Sequence, residues 1–176
     1  MATMEILKFP DPRLHLRGET VERFDEPLRE LVDDMFETMY ASEGCGLAAV
    51  QVNVQYSLFI MDTSEDRSRP LVFINPVITI LDPEPSELPE GCLSVPGVSD
   101  HIGRPCRVRV DAQDCNGEHF SHECTGLEAV CVQHEYDHLE GVLFVEHLST
   151  FKQRRLRKKV EKAERLVSIG STVSHK

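Results

Sequence analysis

Leu28, Leu31, Val32, Met35, Phe36 and Met39 recur at i, i+3, i+4 and i+7, which predicts an amphipathic helix from about Glu26 to Ser42. Asp25 can cap its start, Pro27 suits its first turn and Gly44 lies just past its end. The pattern then shifts to β-branched and aromatic residues over Tyr56–Asp62 and Leu71–Ile80, where Pro76 marks an edge or a bulge. Over Arg107–Asp114 it alternates strictly. Val108, Val110 and Ala112 share one face, Arg107, Arg109 and Asp111 the other, and Asn116-Gly117 supplies a hairpin turn into His119–Glu123. A second helix starts at Thr125 with a capping box, Thr125-x-x-Glu128, and ends at Gly141. Its stripe of Leu127, Val130 and Cys131 leads by helical steps to His134 and His138. A third helix, from about Thr150 to Val167, has a narrow stripe of Leu156, Val160, Ala163 and Val167 on a basic surface. Strands joined by hairpins and set between helices predict an α+β fold with mostly antiparallel sheet.

At 176 residues the chain has the size of one domain, and 40% hydrophobic with 28% charged residues is a globular composition. No apolar run approaches the roughly 20 residues of a membrane span. Glu5 and Pro10 fall where a signal peptide would be apolar, so the chain is expected in the cytoplasm. Residues 1–151 carry 10 basic and 28 acidic side chains, a net −18, whereas residues 152–176 carry 9 and 2, a net +7. The acidic body argues against a domain wrapped on nucleic acid and suits a soluble monomer. Six cysteines without a CxxC pair, in a chain long enough for a core, are expected as reduced thiols.

The strongest local chemistry is His134-Glu135-Tyr136-Asp137-His138, an HExxH on a helix. Imidazoles at i and i+4 can share one metal ion while the glutamate acts as a base. The plain alternative is a pair of core histidines satisfied by hydrogen bonds. Two ligands leave a metal under-coordinated. The protease continuation HExxHxxGxxH finds Gly141 but meets Phe144 in place of the last histidine. A downstream glutamate would have to come from Glu161 or Glu164 on the basic helix, and His147 has no motif around it. Cys92, in Glu90-Gly91-Cys92-Leu93-Ser94, is a better third ligand; a lone cysteine is otherwise more often core. Gly44-Cys45-Gly46-Leu47-Ala48-Ala49-Val50-Gln51 offers open backbone and an amide able to donate to an oxyanion, or simply a tight turn.

Together these segments resemble the peptide deformylase family, whose motifs read GxGxAAxQ, EGCLS and QHExDHLxG. Here they stand as GCGLAAVQ at 44–51, EGCLS at 90–94 and QHEYDHLEG at 133–141. The similarity extends through ILKFPDPRL and LVDDMFETMY to KQRRLRKKVEK and covers nearly the whole chain, 1–176, as a single domain with residues 152–176 as basic helix and tail.

The resemblance implies an antiparallel sheet packed around a central metal-binding helix, with an N-terminal and a basic C-terminal helix. It implies Cys92, His134 and His138 as ligands of one divalent metal. Fe²⁺ is expected, with Ni²⁺, Co²⁺ or Zn²⁺ able to substitute. Glu135 would be the general acid/base, and Gln51 with the Leu93 N–H the oxyanion hole, in hydrolysis of the formyl group of formyl-methionine nascent peptides. Gly46 would meet the formyl group. Cys45, Leu88, Glu90, Gly91, Leu127, Val130 and Cys131 would bind substrate, and Arg104 would hold the peptide or the loop. Cys45 departs from the frequent Ile or Val, Pro89 from Glu, and Ser99 from a peptide-contacting Arg.

The resemblance also implies a ribosome contact near the nascent-chain exit through Lys152, Arg154, Arg155, Arg157, Lys158 and Lys159; a solvated basic face is the alternative. Rival functions are an HExxH metallopeptidase and a catalytically silent, metal-bearing ribosome-associated module.

Overall fold

In the computed structural model, residues 2–173 are described, with side chains through Val167. The chain folds as two compact units, Met1–Phe144 and Val145–Lys176.

The first unit is built on a five-stranded antiparallel sheet. Its strands are β1 (Gly46–Ala48), β2 (Leu58–Met61), β3 (Leu71–Pro85), β6 (Pro105–Gln113) and β7 (His119–Thr125), in the order β1-β2-β3-β6-β7. A separate two-stranded sheet pairs β4 (Pro89–Cys92) with β5 (Val95–His101). Helix α1 (Glu26–Ala41) covers one face at the β1–β2–β3 end, packing Leu28, Val32, Met35 and Met39 with Leu47, Leu58, Ile60 and Ile74. Helix α2 (Gly126–Leu139) lies on the opposite face, where Ala129, Cys131 and Val132 meet Phe59, Phe73, Val108 and Val110. Strand β2 is buried at every position because it is covered on both faces. In β6 the alternation holds: Val108, Val110 and Ala112 are buried while Arg107 is exposed.

Pro76 marks a bulge rather than an edge, since β3 is the central strand. The register steps from Ile74↔Gln113 to Val77↔Asp111, setting Asn75 and Pro76 against one partner residue. Asn75 sits at φ +52°. Its Oδ1 accepts from the Val21 N–H at 2.8 Å, and its Nδ2 donates to the Val21 carbonyl and Gln113 Oε1, both at 2.9 Å.

The Leu28 N–H donates to Asp25 Oδ1 at 3.2 Å, which is the expected cap of α1. At the other end the left-handed residue is Glu43 (φ +57°), not Gly44, whose N–H closes on the Met39 carbonyl at 3.0 Å. Gly44 is small for a different reason: a Cβ there would lie 2.6 Å from Leu93 Cδ1. The capping box of α2 does not form. Thr125 makes no side-chain cap, and Glu128 is engaged by His122 instead. Gly141 (φ +77°) does end that region, its Cα lying so close to His15 that a Cβ would meet the His15 carbonyl oxygen at 2.5 Å.

The second unit holds α3 (Thr150–Val173), with the Lys152 N–H donating to Ser149 Oγ at 3.2 Å at its start. The helix runs past its expected end at Val167. Residues 174–176 of the expected basic tail lie outside the described residues.

Candidate active site

Two elements of the first unit bring the donors together. Helix α2 is buried almost all round from Ala129 to Glu135, so His134 and His138 stand a turn apart inside the protein. Strand β4 ends at Cys92 with a register slip between Gly91 and Cys92. Cys92 Sγ lies 3.4 Å from His138 Nε2, which lies 3.2 Å from His134 Nε2. A tetrahedral ion with ligands at about 2.0–2.3 Å separates its donor atoms by roughly 3.3–3.6 Å, so these residues fit one divalent metal. All three donor atoms lie within 4.8 Å of one another.

The outer shell fixes the tautomer of one histidine. Glu90 Oε1 accepts from His134 Nδ1 at 2.9 Å, which turns Nε2 toward the donor set. Arg104 holds the same carboxylate with two hydrogen bonds, Nε to Oε2 at 2.7 Å and Nη2 to Oε1 at 2.8 Å, and donates to Asp137 Oδ2 at 2.9 Å. Burial alone would raise the Glu90 carboxyl, but the hydrogen bonds from His134 and Arg104 outweigh it and hold it low. Burial opposes the Arg104 charge in the same way, and Glu90 more than compensates.

Glu135 is buried and has no arginine on it; its Oε1 lies 3.9 Å from His134 Nε2. Burial, then the neighbouring Cys45 and Glu90, pushes its carboxyl well above the usual range, and its Oε2 has no hydrogen-bond partner among the described residues. Burial and then Glu135 push the Cys92 thiol up to about 12. Burial and then His134 hold His138 well below its ordinary value. An uncompensated carboxyl, a thiol and two imidazoles gathered in one buried spot are what a cation would satisfy.

Gln51 is fully enclosed. Its Oε1 accepts from the Ala48 N–H at 2.9 Å, which orients the amide so that Nε2 donates to Ser94 Oγ at 3.0 Å and lies 3.6 Å from Cys92 Sγ. Leu93 follows in the turn between β4 and β5, its carbonyl accepting from Lys8 Nζ at 2.8 Å.

A cavity of about 650 Å³ opens beside these groups. Cys45, Gly46, Leu127, Val130 and Cys131 line it, together with Glu90 and Gly91. Pro89 and Ser99 also lie on its wall. Leu88 is not on the wall. Neither is Arg104, which is buried behind Glu90 and reaches the donor set only through that carboxylate. Leu127, expected in the core stripe of its helix, is half exposed and faces the cavity. Cys45 Sγ lies 3.8 Å from Cys131 Sγ, and the shared hydrogen bond lowers the Cys45 thiol while raising that of Cys131. Gly46 leaves room that matters: a Cβ there would lie 2.7 Å from Cys131 Sγ and 2.8 Å from Glu135 Oε1.

Sequence reasoning misses Ser94, which holds the Gln51 amide, although it stands inside EGCLS. It also misses Asp137, the second anion on Arg104, and Lys8, for which no pattern gives a signal.

A family model described as polypeptide deformylase matches residues 3–154. The peptide deformylase of Hahella chejuensis is 52% identical over 166 residues, 94% of this chain and 99% of that protein. That of Cellvibrio japonicus is 55% identical over 162 residues, 92% of this chain and 96% of that protein. Among solved structures, peptide deformylase from Ehrlichia chaffeensis in complex with actinonin superposes with a TM-score of 0.89 at 45% identity, covering 94% of this chain and 99% of the other. A peptide deformylase from Legionella pneumophila gives 0.88 at 43%, covering 95% and 98%.

Proposed function

The chain belongs to the polypeptide deformylase family and removes the N-terminal formyl group from formyl-methionine of newly synthesised polypeptides, releasing formate, and we propose that Cys92, His134 and His138 hold the single divalent metal that assists this hydrolysis. The observation that carries this reading is the convergence of a thiol and two imidazole nitrogens at 3.4 and 3.2 Å beside a buried carboxyl whose Oε2 has no partner among the described residues.

Once bound, the metal supplies a Lewis acid that acidifies water and polarises the formyl carbonyl. Glu135 takes the proton of the attacking water and returns it to the departing amine. Its raised affinity for a proton suits it to carry one between the two steps. Gln51 Nε2, oriented by the Ala48 N–H, and the Leu93 N–H donate to the oxygen on which charge develops. Glu90 and Arg104 orient His134. Gly46, Cys45, Leu127, Val130 and Cys131 receive the formyl-methionine, an apolar and polarisable wall being suited to an unbranched thioether.

Fe²⁺ is the ion we expect, with Ni²⁺, Co²⁺ or Zn²⁺ able to replace it; the thiolate ligand tempers the acidity of zinc more than imidazole or carboxylate would. We take residues 1–176 as a single deformylase domain, monomeric and cytoplasmic. No described helix is long and apolar enough to cross a membrane. The exposed side chains of Lys152, Arg154, Arg155, Arg157, Lys158 and Lys159 on α3 support a contact with ribosomal RNA near the nascent-chain exit. Salt-sensitive co-sedimentation with ribosomes should be lost when these six become glutamine; retention would remove that contact.

The decisive experiment is formate release from a formyl-Met tripeptide by protein purified without oxygen and loaded with Fe²⁺ or Ni²⁺. Turnover should vanish in Glu135→Ala while the metal stays bound. No turnover by the loaded wild type would sink the assignment, and cleavage of casein would favour a peptidase instead.

A further inference from the structure

A second group of donors stands at the junction of β7 and α2, apart from Cys92, His134 and His138. The two-residue period of β7 puts His122 and Cys124 on one face. Their register partners, Val110 and Val108, are fully buried. Glu128 stands in the first turn of α2. His122 Nε2 is 3.2 Å from Glu128 Oε2, and a ring nitrogen of His122, a carboxylate oxygen of Glu128 and Cys124 Sγ all lie within 4.8 Å of one another. Cys124 is wholly buried, while the side chains of His122 and Glu128 are 25% and 21% exposed, so the group is reached from solvent on its imidazole and carboxylate side.

We propose that His122, Cys124 and Glu128 form a second cation site, which takes one divalent ion of the zinc class. Thiolate, imidazole and carboxylate are together the donor set of zinc and its borderline neighbours, whereas magnesium and calcium require oxygen ligands throughout. Three protein donors with one open side leave a fourth position for water. The thiolate and the carboxylate balance the charge of a divalent ion. An ordinary His–Glu hydrogen bond accounts for two of the donors, while the Cys124 thiol packs in the core with Val108 and Val110 and, among the described residues, reaches only the His122 carbonyl, at a long 3.9 Å. Glu128 is committed to this group, since it leaves Thr125 uncapped to reach His122. Burial and then Glu128 push the Cys124 thiol up to about 12, so the ion displaces that proton on entry. A bound ion would tie the end of β7 to the helix that carries His134, six residues and about 9 Å further along its axis.

Equilibrium dialysis of the full chain against Zn²⁺, with the metal counted per chain, tests this. The wild type should hold two ions. Cys124→Ala should hold one, and Glu128→Gln and His122→Gln should weaken the second by more than the roughly 10–100-fold that losing an outer partner costs. Formate release by the Ni²⁺-loaded protein should be unchanged in all three. In Cys92→Ser, added Co²⁺ should still give a thiolate charge-transfer band, which disappears when Cys124→Ala is added. One zinc per wild-type chain would overturn the site, as would a second ion that survives both Cys124→Ala and Glu128→Gln. Should Cys124→Ala fail to fold, the partly exposed Glu128 and His122 variants decide the matter alone.

Discussion

Glu90 and His134 are joined through Nδ1 at 2.9 Å, and a carboxylate can only accept, so Nδ1 is the donor and Nε2 is the nitrogen turned toward His138 and Cys92. The link works because Arg104 pins the carboxylate from the other side with two further hydrogen bonds. Glu90→Gln should keep the size but lose the charge that holds Arg104, and should cost about 10–100-fold in metal affinity. Arg104→Met should go further. It strands a carboxylate that is 5% exposed, and a broken buried pair typically costs about 3–5 kcal/mol. Chelator competition and urea denaturation measure the two effects; an unchanged affinity in both variants would separate Glu90 from the metal site.

Metal binding should release protons. In the metal-free site the Cys92 thiol is pushed to about 12, while His138 is held neutral by burial and by His134. At pH 7 an incoming ion therefore displaces the thiol proton and none from His138. Glu135, also raised, gives up its proton as positive charge arrives beside it. Affinity should climb with pH by at least about tenfold per unit through the neutral range. Calorimetry in two buffers of different ionisation enthalpy reads the count directly, and zero released protons at pH 7 would mean the thiolate is already formed.

The bulge in β3 should be expensive to disturb. Asn75 occupies a left-handed backbone and spends its amide on both polar groups of Val21 and on Gln113. Asn75→Ala forfeits all of these bonds and keeps the backbone conformation, for a loss of about 3 kcal/mol in chemical denaturation. Asn75→Gly relieves the backbone but not the bonds and should fall between. Equal stability of wild type and Asn75→Ala would show that Val21 finds other partners.

Periodicity makes some of this fold legible and leaves other parts silent. Helix α1 and the β6–β7 hairpin are readable because each has one buried and one exposed face, and the histidines of α2 because helical steps project them inward. The β4–β5 sheet is not readable. Its sequence, PEGC followed by VPGVSDH, neither alternates nor avoids Pro and Gly, and it owes its form to pairing across a register slip. Gly44 illustrates a residue whose type is legible but whose reason is not, since it accommodates the Leu93 side chain rather than ending α1. HExxH announces a metal, yet the third donor comes from a strand 42 residues upstream of the first histidine, beyond the reach of helical spacing. Arg104 is picked out by the resemblance, but its role stays hidden for the same reason: its partners Glu90, 14 residues away, and Asp137, 33 away, meet it only in the folded chain.

Gly46 should prove the most sensitive small residue of the cavity. Its position inside β1 pairs it with Met61 in an ordinary extended backbone, so an alanine there meets no conformational penalty. The obstacle is contact alone. A Cβ would stand 2.7 Å from Cys131 Sγ and 2.8 Å from Glu135 Oε1, and one of these side chains must move. If Glu135 yields, the group proposed to handle the proton is displaced, and a shift of about 1 Å costs on the order of 100-fold in rate. Gly46→Ala should therefore lower kcat by about that factor while metal content stays at the wild-type level. Adding Cys131→Ala distinguishes the two contacts. Recovery of kcat in the double variant would assign the strain to the thiol, and persistence of the defect would assign it to Glu135. Wild-type kcat in Gly46→Ala would show that neither neighbour depends on the missing methyl.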